Sequence, residues 1–202
     1  CIYALGSLYW EKKFYDKMVT LFKKAISLYP QNTRAHFELG KAFRRKFKIA
    51  EAMDEFKKVI NIDSGYAEVY FELGSLHLEN GETAEALECL KKATSLNPAN
   101  GEAFFLLGKV YEENGDRDKA THAYQQARSK MTDNVEILVK LAADYLDKKK
   151  YEEALTELKK AAAMDGVTAD VYVMMSKAYR ALGMKSEALA AIEKAETFEE
   201  GK

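Results

Sequence analysis

The chain has 202 residues, with 31 basic and 32 acidic side chains, a net charge of −1 and 48% hydrophobic residues. That near balance removes the electrostatic case for nucleic acid as principal partner. No apolar run approaches the roughly eighteen residues of a membrane span, and no charged-then-apolar signal segment opens the chain, so a soluble protein is expected.

Taken in order, the apolar pattern predicts pairs of short helices. In residues 1–32, Gly6 and Tyr9 lie on a first helix, and Met18, Phe22 and Ala25, spaced four and three apart, form one face of a second. Pro30 ends it. Cys1 already lies within the first helix, which predicts excision from something longer. Residues 33–66 repeat the scheme with Gly40, Phe43, Ala52, Phe56 and Val59, closing at Ser64. Residues 67–100 carry Gly74, His77, Ala86, Leu90 and Ala93, with a turn at Asn80-Gly81 and a stop at Pro98. In 101–134 come Gly108, Tyr111, the Asn114-Gly115 turn, Ala120, Tyr124 and Ala127. Residues 135–168 place Ala142 at the small site, then Tyr145, Ala154, Leu158 and Ala161, breaking at Gly166. Residues 169–202 have Ser176, Tyr179, the Leu182-Gly183 turn, Ala188, Ile192 and Ala195, and Lys202 closes the sixth pair.

Every one of these sites recurs at a step of 34 residues without insertion or deletion. A unit of this length buries its apolar face only by stacking on its neighbours. The small site is explained by close approach of the two helices, because a larger side chain would hold their axes apart. With a leucine before it at Leu5, Leu39, Leu73, Leu107 and Leu141, then Met175, the unit resembles the tetratricopeptide repeat over essentially the whole chain. Departures are mild. Ile2, His36, Tyr70, Phe104, Leu138 and Tyr172 replace the first tryptophan, and Lys13, Phe47 and Lys149 replace the turn glycine. The resemblance implies an all-α α-solenoid of six helix-turn-helix repeats forming a right-handed superhelix, one array over 1–202. It also implies a non-catalytic protein-interaction scaffold whose first helices line a concave groove.

Chemistry finds little support. His36 and His77 occupy sites that are apolar or aromatic elsewhere and read as packing, and His122 reads as exposed. There is no His-Glu-x-x-His, no Cys-x-x-Cys and no acidic loop with calcium spacing, so no metal or cofactor is expected. Asp116-Arg117-Asp118 reads as acid favoured at a helix N-terminus. Cys1 and Cys89 read as free thiols, compatible with a reducing, cytoplasmic compartment.

The groove is where binding is expected. Tyr3, Phe37, Phe71, Phe105, Val139 and Val173 keep the 34-residue step, one place after the tryptophan-equivalent site, and the resemblance points that position inward. Arg34, Glu68, Glu102, Glu136 and Asp170 precede these by three residues, while Lys41, Lys109 and Lys177 follow by four. Apolar anchors flanked by both charges suit a partner's peptide or helix. The competing reading is that the rings only stiffen the stack. The lysine, asparagine and arginine clamp that some family members use on C-terminal acids is absent. The basic run Arg44-Arg45-Lys46-Phe47-Lys48, echoed at Lys148-Lys149-Lys150, reads first as helix-terminal charge and second as a docking patch. Two other uses stay open: the substrate-recruiting segment of a larger enzyme, and self-association through the shallow alanine face of the last helix.

Overall fold

The computed structural model describes residues 2–131 and 134–200. Cys1 and Lys202, on which expectations about the chain ends and one thiol rest, lie outside them. The described residues form twelve α-helices and no strand. One compact unit, residues 1–98, holds α1 (Ile2–Glu11), α2 (Tyr15–Leu28), α3 (Thr33–Arg45), α4 (Ile49–Ile62), α5 (Ala67–Glu79) and α6 (Thr83–Leu96). The other, residues 99–202, holds α7 (Gly101–Glu113), α8 (Arg117–Lys130), α9 (Val135–Asp147), α10 (Tyr151–Ala162), α11 (Ala169–Ala181) and α12 (Lys185–Glu200).

The small site does what its spacing predicts. A methyl group on Gly40 would sit 2.5 Å from Cε1 of Phe56, on Gly6 2.6 Å from Cζ of Phe22, and on Gly74 2.6 Å from Cγ of Leu90. In the second unit Gly108 stands in the same relation to Tyr124, at 2.5 Å. In these four pairs the first helix therefore rests directly on the large side chain of its own second helix. Phe22, Phe56 and Leu90 are fully buried there and centre the core of the first unit. In the second, Tyr124 and Leu158 hold the equivalent places.

All six first helices end alike. Lys13, Phe47, Gly81, Gly115, Lys149 and Gly183 have φ between 56° and 79°. The next amide reaches back five residues: Phe14 N–H donates to Tyr9 O at 2.8 Å, Lys48 to Phe43 at 3.0 Å, Glu82 to His77 at 2.8 Å and Asp116 to Tyr111 at 2.8 Å. This left-handed cap satisfies carbonyls that a helix end otherwise leaves open. Loss of glycine at three turns leaves the backbone conformation unchanged, with a side chain now held in it.

Helix starts carry a signal that the repeat pattern alone does not expose. Asn32, Asn100 and Asn134 lie at multiples of 34 residues, and each accepts a hydrogen bond from the amide three residues on, at 3.1, 3.0 and 3.1 Å. They are side-chain N-caps of α3, α7 and α9.

The basic run at the end of α3 serves neither capping alone nor an open patch. Arg44 bonds Glu72 and Glu79 and donates to Ser75 Oγ at 2.8 Å, tying α3 to α5. Lys46 pairs with Asp16 of α2, and Lys48 with Glu51 at 3.0 Å. The Lys46–Asp16 pair recurs three repeats on as Lys148–Asp118, at 2.9 Å. Arg45 and the 89%-exposed Phe47 are what remain. His36 is buried as expected, yet it is not an apolar filler: Nδ1 lies 2.6 Å from Glu55 Oε2 and Nε2 lies 2.9 Å from Pro30 O.

Candidate functional site

Helical spacing places Tyr3, Ser7 and Trp10 on one face of α1, and Arg34, Glu38, Lys41 and Arg45 on one face of α3. Between these two first helices lies a cleft of about 230 Å³, lined by Tyr3, Trp10, Arg34, Glu38 and Lys41, with Phe22 among its lining residues. Ser7, small and exposed, leaves room in the cleft that a larger residue would fill. The cleft volume is below the roughly 300–1,000 Å³ of small-molecule pockets and suits one or two inserted side chains.

Aromatic rings hold the cations that frame it. The guanidinium of Arg34 stands 4.2 Å above the Tyr3 ring, Lys41 Nζ lies 5.1 Å from both Trp10 and Phe37, and Arg45 lies 5.0 Å from Trp10. Lys41 also pairs with Glu38 at 3.0 Å. The Tyr3 hydroxyl donates to Asn32 Oδ1 at 2.7 Å, the same oxygen that caps α3. Cleft wall and helix start thus share one side chain.

The expected anchors divide. Tyr3, Arg34 and Lys41 come together at the cleft. Phe37 does not offer a free ring: it is buried at 7% exposure, packed against Phe56 at 5.8 Å and Tyr66 at 5.1 Å between ring centroids. Its inward register is matched by Tyr3 on Phe22, 6.1 Å, and in the second unit by Phe105 on Tyr124, 5.9 Å. The repeating ring therefore lies on the side chain that the small site admits, and part of its periodicity is architecture. Phe71 is half-buried, in the repeat whose second helix carries Leu90 instead of a ring, and Glu68 beside it is exposed.

In the second unit, Lys109 lies 5.2 Å from the Phe105 ring and pairs with Glu136 of α9 at 3.2 Å, while Glu102 is exposed. A separate cavity of about 340 Å³ lies among α7, α8 and α9. Beside it Glu112 receives the Tyr124 hydroxyl at 2.7 Å and Lys140 at 2.9 Å. Burial alone would raise the Glu112 carboxyl, but these two hydrogen bonds together with the charges of Lys140 and Lys109 outweigh it and hold it below its ordinary value. Burial and the same carboxylate push the Tyr124 hydroxyl up, so it stays a donor. Arg117 pairs with Asp147 at 2.8 Å. The charges around this cavity are largely spent on one another.

Trp10 and Arg45 are the residues that periodicity missed. At the 34-residue step Trp10 is followed by Arg44, Leu78, Glu112, Leu146 and Arg180, so no repeat signal marks it. Its place seven residues beyond Tyr3, on the same helix face, is the signal that could have found it. Among the described residues no group of three or more His, Cys, Asp or Glu side chains could hold a metal ion, and no helix is long and apolar enough to cross a membrane.

The profile of the tetratricopeptide family described as the cilia and flagella-associated protein 70 C-terminal domain matches residues 1–202. No curated protein sequence matches significantly. Among solved structures, a MamA protein is 26% identical with a TM-score of 0.72, over 83% of this chain and 92% of its own. PilF of Pseudomonas aeruginosa is 19% identical, TM-score 0.80, over 94% and 86%. YrrB, described as a tetratricopeptide protein with an unusual peptide-binding site, is 21% identical, TM-score 0.77, over 86% and 90%. These likenesses agree with the helical repeat fold.

Proposed function

The chain belongs to the family of the cilia and flagella-associated protein 70 C-terminal domain, and on that premise we propose that it is a non-catalytic scaffold of six repeats that binds a partner's peptide along its first helices. The observation that carries this reading is the cleft between α1 and α3, where stacked cations and rings border an opening the size of a side chain. Tyr3, Arg34 and Lys41 act there together with Trp10. Phe37 serves as packed wall. Phe71 with Glu68, and in the second unit Phe105 with Glu102 and Lys109, form further contact patches. Peptide binding by YrrB is a use of the same fold by another protein and supports the class of function only.

A blocking substitution tests this. Ser7 is exposed and lines the cleft, so Ser7→Phe fills it without removing any packed group. Random peptides displayed on phage and selected on the wild-type chain are expected to lose binding to Ser7→Phe while its melting temperature stays unchanged. Selected peptides that bind both forms equally would place recognition elsewhere.

A further inference from the structure

Two arginines at the cleft, Arg34 in its lining and Arg45 stacked on Trp10 at its edge, are distinguished by what they lack. Arg44, Lys46 and Lys48 each have a carboxylate partner. Arg34 and Arg45, by contrast, have neither an ion pair nor a hydrogen bond among the described residues, only the rings beneath them. A guanidinium stacked on an aromatic face still presents its planar fork of N–H donors at the edge, in the geometry that grips a carboxylate. Stacking also holds the side chain still, so less freedom is lost when an anion arrives. Lys41 is already balanced by Glu38. Among the described residues Glu11 is the lining carboxylate with no ion pair, against two arginines with none. Residues 1–66 carry 13 basic and 7 acidic side chains, a net of +6, within a chain whose total is −1.

We infer that this cleft reads an acidic segment of a partner protein through its side-chain carboxylates, one at Arg34 and one at Arg45, with an apolar side chain inserted between Tyr3 and Trp10. This rests on the groove reading above and specifies its ligand. Arg34 and Arg45 are eleven residues apart on α3, about 16 Å at ~1.5 Å per residue. An extended peptide covers that span in about five residues at ~3.3 Å each. The fitting motif is thus two acidic residues five positions apart with a large apolar residue between them. A nucleic-acid backbone is disfavoured by the small number of free cations and by Glu11 and Glu38 in the same cleft.

Trp10 is the single tryptophan of the chain, so its emission reports this cleft alone. Synthetic peptides with Glu five residues apart around a leucine, amidated at the C-terminus, would be titrated into the 202-residue chain beside versions carrying Gln or Lys for Glu, and beside a single-stranded oligonucleotide. The expected result is a saturable change in Trp10 emission with the Glu peptide, weakening as salt rises. Binding should fall about tenfold for Arg34→Gln and again for Arg45→Gln, with unchanged melting. Equal binding of the Gln or Lys peptide would overturn the acidic assignment and leave the groove reading standing. Dependence on a free C-terminal carboxylate, or tighter binding of the oligonucleotide, would also overturn it. No response to any peptide would overturn both.

Discussion

Replacing Gly40 by alanine drives a methyl group to within 2.5 Å of the Phe56 ring, which has no exposed surface and nowhere to go. Alanine gains ~1 kcal/mol of helix propensity over glycine, but overpacking costs ~1–3 kcal/mol. Gly40→Ala is therefore expected to lower stability in urea denaturation, against the direction that helix propensity alone dictates. Phe47→Gly should do the opposite. The left-handed backbone strains a side-chain-bearing residue by ~1–2 kcal/mol, and glycine's added unfolded-state freedom returns only ~0.5–1 kcal/mol of it. A rise in melting temperature checks this, and a fall would show that the exposed ring has a partner inside the fold. Ser176 occupies the small site with its Oγ buried and unpartnered. Ser176→Ala removes an unsatisfied hydroxyl, and a gain of up to ~1 kcal/mol is expected.

Between elements, the two neighbouring arginines of α3 separate stability from recognition. Arg44 joins α3 to α5 through Glu72, Ser75 and Glu79, whereas Arg45 stacks on Trp10 and has no hydrogen bond or ion pair among the described residues. Arg44→Ala should cost ~1.5–3 kcal/mol, the range for hydrogen bonds to charged groups, while Arg45→Ala leaves the melt close to wild type. Equal losses would refute the division. Among α7, α8 and α9, the lowered Glu112 carboxyl sets a pH window. Because its folded value lies below the ordinary 4.5, its contribution is present above that pH and is lost as pH falls through the folded value. The stability difference between wild type and Glu112→Gln should shrink on acidification below 4.5 and stay flat above it. Acid titrations of both melts would show this.

Much of this was legible in the chain and some was not, for reasons tied to particular residues. Helix positions follow from the step that links Gly6 to Gly108, because stacking repeats the same burial in each unit. Turns were visible at Asn80-Gly81 and Asn114-Gly115, where glycine advertises the conformation. At Lys13, Phe47 and Lys149 only the 34-residue register marks the turn, since the left-handed conformation and its back-reaching hydrogen bond are kept without a glycine to announce them. The ion pair between Lys46 and Asp16 joins helices from adjacent repeats, and charge sums cannot reveal it. Trp10 and Arg45 escaped because they are peculiar to one repeat. A periodic reading finds what repeats share, and selective contacts need not be shared.

For the molecule as a whole, stability in such arrays is approximately a sum over repeats and their nearest-neighbour faces, and a folded stack needs at least three repeats. Residues 1–98 form one compact unit of three helix pairs. Expressed alone, they are expected to give a helical circular-dichroism spectrum and a cooperative melt. A non-cooperative, largely unfolded fragment would contradict this.

The glycine and the ring beneath it carry a further consequence, which concerns exchange between repeats. Gly6, Gly40, Gly74 and Gly108 face Phe22, Phe56, Leu90 and Tyr124. Where Ala142 and Ser176 add bulk, the equivalent second-helix residues are the aliphatic Leu158 and Ile192, whereas three of the four glycines face an aromatic ring. A first helix transplanted from the fifth repeat onto the second would bring a methyl group down on Phe56. For all their common period, the repeats are not interchangeable parts.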